Sequence, residues 1–379
     1  MSTRDSGQDG QHAGRANDGQ SPPVPAAAPA SRQPGDAPTP QSAGAATRGR
    51  GAVTLSAADS ALAGGVRARQ RRALAKAITL IESTLPEHRM RAQALLDHLM
   101  PHTGGALRIG ISGVPGVGKS TFIEALGMHL IAQGLRLAVL AVDPSSPLTG
   151  GAILGDKTRM EKLAQNEAAF IRPSPARGAL GGVGHQSREA LLLCEAAGFD
   201  VVIVETVGVG QSETAVAGMC DVFVLLQLPN AGDELQGIKK GILELADLVV
   251  YNKADLDPRA AAVACGQLRA ALHMLRPASP HWTVPVLQAS ASTGTGVAGV
   301  WDCVLRHRDV LQAAGAWQQR RQQQAQAWMW SLIEDGLQQR FRRHEAVRDA
   351  LPEMMRQVSD GAASPATAAR LLLDAFRAE

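Results

Sequence analysis

Short runs of consecutive apolar residues alternate with longer polar segments through the middle of the chain. Seven such runs lie between residues 106 and 300: LRIGISG, RLAVLAV, AAFIRP, DVVIVE, VFVLLQL, LVVYN and VPVLQAS. They are apolar on successive rather than alternate residues, which is typical of strands buried on both faces. The segments between them are long enough for crossover helices. The pattern therefore predicts an α/β fold with a mostly parallel sheet between helices.

The amino-terminal flank has a different pattern. Apolar residues recur every three or four positions from Leu74 to Leu85, Pro86 interrupts them, and a second apolar group ends at Leu99. This spacing predicts a helical hairpin within a segment spanning residues 55–104. Residues 1–54 contain few large apolar side chains and are predicted to be a disordered tail, because they cannot bury enough surface to offset the entropy of ordering. A mitochondrial transit peptide is the alternative, although acidic residues are interleaved with the arginines.

The carboxyl-terminal flank, residues 313–379, is predicted to be helical throughout. A narrow apolar stripe, on a helix rich in Gln and Arg, is formed by Trp330, Ile333, Leu337 and Phe341. Ser364, followed by proline, is typical of the start of a further helix. A narrow stripe on a polar helix usually packs against another surface, either the same domain or a second copy of the chain. We favour the second copy and therefore expect a homodimer.

Composition excludes several classes of protein. Aromatic residues make up 3% of the chain, with one tyrosine, which argues against a base-stacking platform for nucleic acid. The net charge of +3 is too small to indicate a nucleic-acid or membrane partner, and no run of eighteen apolar residues is present. The four cysteines are widely spaced and have no CxxC pair, so we expect them to be reduced and buried in a cytoplasmic protein.

The strongest motif is GVPGVGKS, which fits GxxxxGK[ST] and lies between a predicted strand and a predicted helix. Backbone N–H groups in such a loop converge on phosphate oxygens, and the helix dipole adds positive potential. Lys119 is expected to bridge the β- and γ-phosphates of a nucleoside triphosphate, and Ser120 to ligate Mg²⁺. The residues predicted to bind nucleotide here are Gly113, Val114, Pro115, Gly116, Val117, Gly118, Lys119, Ser120 and Thr121.

A second motif, N-K-x-D, follows the predicted strand LVVY and indicates guanine. Asp255 can accept hydrogen bonds from the N1–H and N2–H₂ groups that guanine has and adenine lacks. Asn252 can reach O6 and N7, while the stem of Lys253 covers one face of the base. One strand later, Ser290 and Ala291 can present a backbone N–H to O6. The three elements together predict binding of GTP and GDP.

Acidic residues near the phosphate loop are candidate magnesium ligands beside Ser120. Asp143 and Glu205 each end a predicted strand, at the edge where ligands lie in open α/β sheets. Asp156, in a predicted loop, is a third candidate. Any one of these carboxylates could instead be a helix cap.

Hydrolysis of the triphosphate is predicted to be slow. Lys119, Glu205 and Gly208 are the candidate catalytic residues, with the N–H of Gly208 placed to sense the γ-phosphate. The next residue is Val209, which can neither orient nor deprotonate water. Gln211 lies two residues further on, and the sequence leaves open whether its side chain can reach the attacking water. The pattern indicates a switch rather than a motor.

Five segments together closely resemble the MeaB/MMAA family of G proteins, which are associated with methylmalonyl-CoA mutase and whose relatives carry the older names ArgK or lysine-arginine-ornithine transport ATPase. The segments are GVPGVGKSTFIEALG, AVDPSSPLTGGAILGDKTRM, RGALGG, ETVGVGQSE and DELQGIKKG, and the resemblance runs from about residue 58 to residue 376. It implies a P-loop GTPase domain over residues 105–312 and a dimerisation segment over residues 313–379.

The resemblance also implies a function. A homodimeric chaperone of this family would gate the loading of adenosylcobalamin into a cobalamin-dependent acyl-CoA mutase and protect that mutase. The cobalamin would be handled by the partner rather than bound tightly here. Asp143, Asp156 and Glu205 would be metal-linked switch acids. Residues 229–241 would form an additional switch loop, with Lys239 and Lys240 as charged contacts to the mutase.

Two alternatives are weaker. Nickel-insertion GTPases usually carry Cys/His metal motifs, and the sequence has no such motif. An ATP-dependent regulator of transport would require adenine, which Asn252 and Asp255 argue against.

Overall fold

A computed structural model of the chain describes residues 55–142, 160–173, 182–206, 212–229, 240–273 and 279–377. The strands within these ranges are β1 Leu107–Gly113, β2 Leu137–Val142, β3 Ala169–Arg172, β4 Val201–Thr206, β5 Val222–Gln227, β6 Leu248–Tyr251 and β7 Val286–Gln288. The helices are α1 Ala57–Arg67, α2 Arg71–Ile81, α3 Pro86–Leu99, α4 Lys119–Ala132, α5 Glu161–Gln165, α6 Gly182–Ala196, α7 Ser212–Ala217, α8 Lys240–Leu245, α9 Pro258–His273, α10 Val297–Ala313, α11 Ala316–Arg343, α12 Glu345–Ser359 and α13 Pro365–Arg377.

The seven strands form one sheet in the order β3-β2-β4-β1-β5-β6-β7. Every neighbouring pair in it is parallel. Each strand lies within one of the seven apolar runs, except that β4 extends one residue beyond its run, so the predicted α/β fold with a mostly parallel sheet is confirmed. β1 lies at the centre, between β4 and β5, which makes its carboxyl end the middle of one edge of the sheet.

Both faces of the sheet are buried, which explains the uninterrupted apolar runs. On β4, Val202 and Val204 pack into the layer that contains α2 and α6. Their neighbours Val201 and Ile203 pack into the opposite layer, which contains α4 and α10. All four side chains are at most 2% exposed. Since successive residues point to opposite faces, each position of the strand has to be apolar.

Two buried aspartates anchor the long helix α11 at the amino ends of β5 and β6. Arg321 binds Asp221 through two nitrogens, at 2.7 and 2.6 Å. Arg320 binds Asp247 in the same bidentate way, at 3.0 and 2.9 Å. This edge is opposite to the carboxyl ends of the strands. The anchors therefore leave the other edge of the sheet available for a ligand site.

The amino-terminal segment differs from the predicted hairpin because it contains three helices. α1 precedes the predicted pair, and Ser56 caps it by accepting a hydrogen bond from the Asp59 N–H at 3.1 Å. Its sequence, AADSALAGGVR, has too few large apolar residues to show a stripe. Leu85 does not continue α2, and it is 57% exposed. Its backbone is extended, with φ −66° and ψ 132°, because a residue before proline disfavours the helical region.

Most of the apolar stripe of α11 is exposed, but Phe341 packs against Phe376 of α13, with ring centroids 5.5 Å apart. Trp330, Ile333 and Leu337 are 59%, 40% and 53% exposed. Gln324 and Trp328, which lie on the other side of the helix, contact the core instead. The predicted start of the last helix is confirmed: α13 begins at Pro365, and the N–H of Thr367 donates to the Ser364 hydroxyl at 3.1 Å.

All four cysteines are buried and carry free thiols, as the sequence predicts. Burial raises the pKa of Cys194 and Cys220, so neither thiol ionises readily. Among the helices of the described ranges, not one combines the length and apolar character needed to cross a membrane. The cytoplasmic location stays a prediction from composition.

Candidate nucleotide site

The predicted nucleotide-binding residues follow the carboxyl ends of four strands. The phosphate loop, residues 113–118, joins β1 to α4, and Glu205 is the penultimate residue of β4. Asn252 immediately follows β6, and Ser290 lies two residues beyond β7. Because all the strands are parallel, these residues lie at one edge of the sheet. Ligands bind at this edge in open α/β folds.

Two glycines of the phosphate loop stand where no side chain fits. Gly118 has φ 90°, and a Cβ placed on it would lie 2.9 Å from Asn252 Nδ2. A Cβ on Gly113 would lie 2.5 Å from the Leu226 carbonyl oxygen of β5. The motif's glycines are therefore required by close approach of the backbone to β5 and to the base-recognition motif.

Lys119, the first residue of α4, folds back over the loop. Its ammonium donates to the carbonyl oxygen of Gly113 at 2.7 Å and more weakly to that of Val114 at 3.4 Å. Burial lowers the pKa of Lys119, while the carboxylates of Glu205 and Glu213 act in the opposite direction. The charge thus lies at the mouth of the loop, where phosphate oxygens could replace the carbonyl partners.

Ser120 and Glu205 meet beside the loop. The Ser120 hydroxyl donates to Glu205 Oε1 at 3.3 Å, and Glu205 is 3% exposed. A hydroxyl and a carboxylate are hard oxygen donors, the kind that Mg²⁺ prefers, so this pair fits the predicted metal. Within the described ranges, His, Cys, Asp and Glu form no group of three or more that could hold a metal ion.

Several predicted residues lie outside the described ranges. Asp143, Asp156 and Gly208 are among them, as are Lys239 and most of the predicted additional switch loop. Their roles stay predictions.

Asn252 connects two loops of the site. Its Nδ2 donates to the Val117 carbonyl oxygen at 2.8 Å, and its Oδ1 accepts from the Ala291 N–H at 3.1 Å. Asn252 itself is 1% exposed. In the structure Asn252 and Ala291 contact each other, and their predicted contacts with guanine stay predictions. This amide therefore fixes the distance between the phosphate loop and the loop that follows β7.

Asp255 is exposed at the same edge, and serines support its carboxylate. The Ser292 hydroxyl donates to Asp255 Oδ2 at 3.4 Å, and the hydroxyls of Ser290 and Ser292 are 3.0 Å apart. Hydrogen bonding from Ser290 is the main cause that lowers the pKa of Asp255, and Ser292 adds to it. Lys253 has φ 58°, a left-handed conformation that is uncommon for a residue with a side chain.

Sequence reasoning missed two further features of the site. The buried hydroxyls of Thr206 and Ser112 are joined at 2.9 Å, which ties the end of β4 to the end of β1 just before the phosphate loop. Glu213, in α7, is 1% exposed and acts electrostatically on Lys119. The signal for Glu213 was its place in ETVGVGQSE, but the motif alone did not show that it is buried next to a cation.

A parallel sheet with a phosphate loop at its centre and an N-K-x-D motif at the same edge defines a P-loop nucleotide-binding protein of the GTPase class. Comparison with known proteins narrows this class. Residues 74–346 match the family model described as methylmalonyl Co-A mutase-associated GTPase MeaB. The chain therefore belongs to the MeaB family.

Relatives and a solved structure agree with this assignment. The chain is 49% identical to GTPase ArgK of Escherichia coli, over 80% of this chain and 92% of that protein. It is 48% identical to the mitochondrial methylmalonic aciduria type A homolog of Mus musculus, over 81% of this chain and 77% of that protein. A crystal structure of an LAO/AO transport system kinase is similar at 40% identity with a TM-score of 0.69, over 86% of this chain and 99% of that one.

Proposed function

We propose that the protein is a GTP-binding and GTP-hydrolysing chaperone of a cobalamin-dependent acyl-CoA mutase, either methylmalonyl-CoA mutase or a close relative. It would gate the loading of adenosylcobalamin, protect the mutase and help to eject damaged cofactor. The observation that carries the proposal is the match of residues 74–346 to a family described as mutase-associated. That range contains all the nucleotide-site residues described above.

Guanine is the base that the site favours. Asp255 is ionised at neutral pH, and the serine hydroxyls that lower its pKa stabilise the charged form, which is the acceptor that two neighbouring N–H groups of guanine require. Adenine offers no such pair. The stem of Lys253 would cover one face of the base. Asn252, Ser290 and Ala291 would hold the base loops together beside it.

The phosphates would bind at the loop between β1 and α4. Lys119 would give up its hydrogen bond to the Gly113 carbonyl oxygen and bind β- and γ-phosphate oxygens instead, because phosphate oxygens are also hydrogen-bond acceptors. Ser120 and Glu205, with Asp143 and Asp156, would hold Mg²⁺. That ion, when bound, supplies positive charge that offsets the charge on the phosphates. Val209 follows the proposed sensor Gly208, so we propose slow hydrolysis that the partner accelerates.

We further propose that a second copy of the chain covers the stripe formed by Trp330, Ile333 and Leu337. These side chains are 40–59% exposed on a helix rich in Gln and Arg. Leu337→Glu should convert a dimer to a monomer in light scattering, whereas Gln338→Glu, one residue away, should not. A wild-type protein that is monomeric at every concentration would contradict this assignment.

Two binding measurements test the proposed function. GDP and ADP are titrated side by side into the purified protein, and GDP is expected to bind far more tightly. A candidate mutase is then tested for capture by the protein with GDP or with a non-hydrolysable GTP analogue. Tighter binding of ADP would favour the transport-regulator alternative. Tight GDP binding without capture of any cobalamin mutase would instead favour a metal-insertion GTPase.

A further inference from the structure

A half-buried arginine of α6 connects α11 with the end of α7. Arg188, in α6, donates to the Gln324 carbonyl oxygen of α11 at 2.9 Å and also to the Gly218 carbonyl oxygen just beyond α7. Its guanidinium carbon lies 5.3 Å from the ring centroid of Trp328. Burial lowers the pKa of Arg188 to about 10, and among the described residues no carboxylate pairs with it. The cation is held by carbonyl oxygens and an aromatic face instead.

The side chain of Gln324 reinforces this junction. Its amide donates to the Cys220 carbonyl oxygen at 2.8 Å and to that of Ala217 at 3.4 Å. Ala217 is the last residue of α7, so carbonyl oxygens at or just beyond the end of this helix accept from Gln324 and Arg188. The end of a helix carries partial negative charge and carbonyl groups without partners inside the helix. Both donors therefore fix the carboxyl end of α7.

α7 packs against β1, the strand that ends in the phosphate loop: a Cβ on Gly110 would lie 2.9 Å from Val216 Cγ1. Glu213 is its second residue, is 1% exposed, and acts electrostatically on Lys119. α7 has six residues, which span about 9 Å at 1.5 Å per residue. A movement at the carboxyl end of so short a helix is transmitted to its amino end. α7 also begins directly after residues 207–211, the segment that the sequence identifies as a nucleotide sensor.

A second contact holds α11 to α6. Trp328 Nε1 donates to His185 Nδ1 at 2.9 Å, and His185 Nε2 lies 2.7 Å from Asp335 Oδ2. Because His185 Nδ1 accepts the hydrogen bond from Trp328, Nε2 of the neutral ring carries the hydrogen and donates a hydrogen bond to the Asp335 carboxylate. Trp328 therefore reports on the distance between these two helices.

We propose that Arg188 and Gln324 are positioning residues for the nucleotide site. By holding the carboxyl end of α7 they fix Glu213 relative to Lys119, and so they couple α11 to the bound nucleotide. The inference rests on the proposed function, because it requires that the phosphate loop binds GTP and GDP. By linkage, a nucleotide that binds one arrangement of α7 more tightly must shift the equilibrium toward that arrangement by the same factor. The contacts between α7 and α11 shift with it.

The test compares Gln324→Ala with Gln323→Ala, which removes an exposed glutamine from the neighbouring position of the same helix. Arg188→Lys is a second variant that keeps the charge but loses the two-carbonyl contact. We expect Gln324→Ala and Arg188→Lys to weaken GDP binding at least fivefold and to change the KM and kcat for GTP unequally. Gln323→Ala should stay within twofold of wild type. Circular dichroism and the unfolding temperature establish that each variant is folded.

Tryptophan fluorescence gives the reciprocal measurement. GDP should change the emission of the wild-type protein and of Trp330→Phe, while most of that change should be absent in Trp328→Phe. Wild-type GDP affinity in folded Gln324→Ala and Arg188→Lys would overturn the inference, as would an equal fluorescence change in Trp328→Phe. Both results would leave the proposed function intact. A wild-type protein that binds no guanine nucleotide would refute the proposed function itself, and this inference with it.

Discussion

Asn252 and Asp255 of the N-K-x-D motif should respond differently to mutation, since Asn252 is buried and Asp255 is exposed. Asn252→Ala removes the hydrogen bonds to the Val117 carbonyl oxygen and from the Ala291 N–H, which leaves two backbone groups without partners in a buried position. Each such loss costs about 1–3 kcal/mol, so the free energy of unfolding should fall by about 2–6 kcal/mol. GDP affinity should fall as well, because the loops on both sides of the base lose their connection.

Asp255→Asn is the matched control. Asp255 and its partner Ser292 are exposed, so this variant should unfold at nearly the same urea concentration as wild type. It should nevertheless lose GDP affinity by several kcal/mol, at about 1.5–3 kcal/mol for each hydrogen bond to the carboxylate, and should tend to favour xanthine nucleotides.

The assay is urea unfolding of the nucleotide-free protein, followed by GDP titration of each variant. Unchanged stability of Asn252→Ala would refute the structural role of this amide. Equal loss of stability in both variants would refute the division between a structural residue and a base-recognising one.

Three further predictions follow from single residues. Lys119→Ala should abolish tight GTP binding and hydrolysis while the protein stays folded, as measured by nucleotide titration and circular dichroism, because residues 113–118 of the loop carry no charged side chain that could replace it. Burial raises the pKa of Glu189 from 4.5 to about 7. The native state therefore binds more protons than the unfolded state in that window, and the free energy of unfolding should fall as pH rises through it. Glu189→Gln should stabilise the protein at pH 8, by at most about 3 kcal/mol, and have much less effect at pH 5; equal stabilisation at both values would contradict this reasoning. Arg321→Ala should cost about 3 kcal/mol in urea unfolding, because it removes the ion pair from Asp221, which is 1% exposed, whereas Arg348→Ala at an exposed pair should cost less than about 1 kcal/mol.

The sheet could be predicted from the sequence because its physical cause is local. Strands buried on both faces have to be mostly apolar on successive residues, and β2 shows this at all six of its positions. The phosphate loop was equally visible, since Gly113 and Gly118 stand where the backbone excludes a side chain.

Contacts between residues far apart in the sequence cannot be predicted from apolar runs or motifs. The sequence gives no indication that Asn252 bonds the phosphate loop, because its partners are backbone groups that any residue provides. The junction at Arg188 was hidden for the same reason, since this arginine binds carbonyl oxygens of two other helices. α1 was missed because its residues are small, and Leu85 was misplaced because helical spacing alone does not show the effect of the following proline.

The most direct test of the account is to titrate a cobalamin-dependent acyl-CoA mutase from the same organism into a GTPase assay of the full chain. The account predicts a low basal rate that rises saturably with mutase, a smaller rise when Lys239 and Lys240 are both replaced by Ala, and no hydrolysis by Lys119→Ala at any mutase concentration. If no such mutase changes the rate or binds in either nucleotide state, the chaperone function is contradicted.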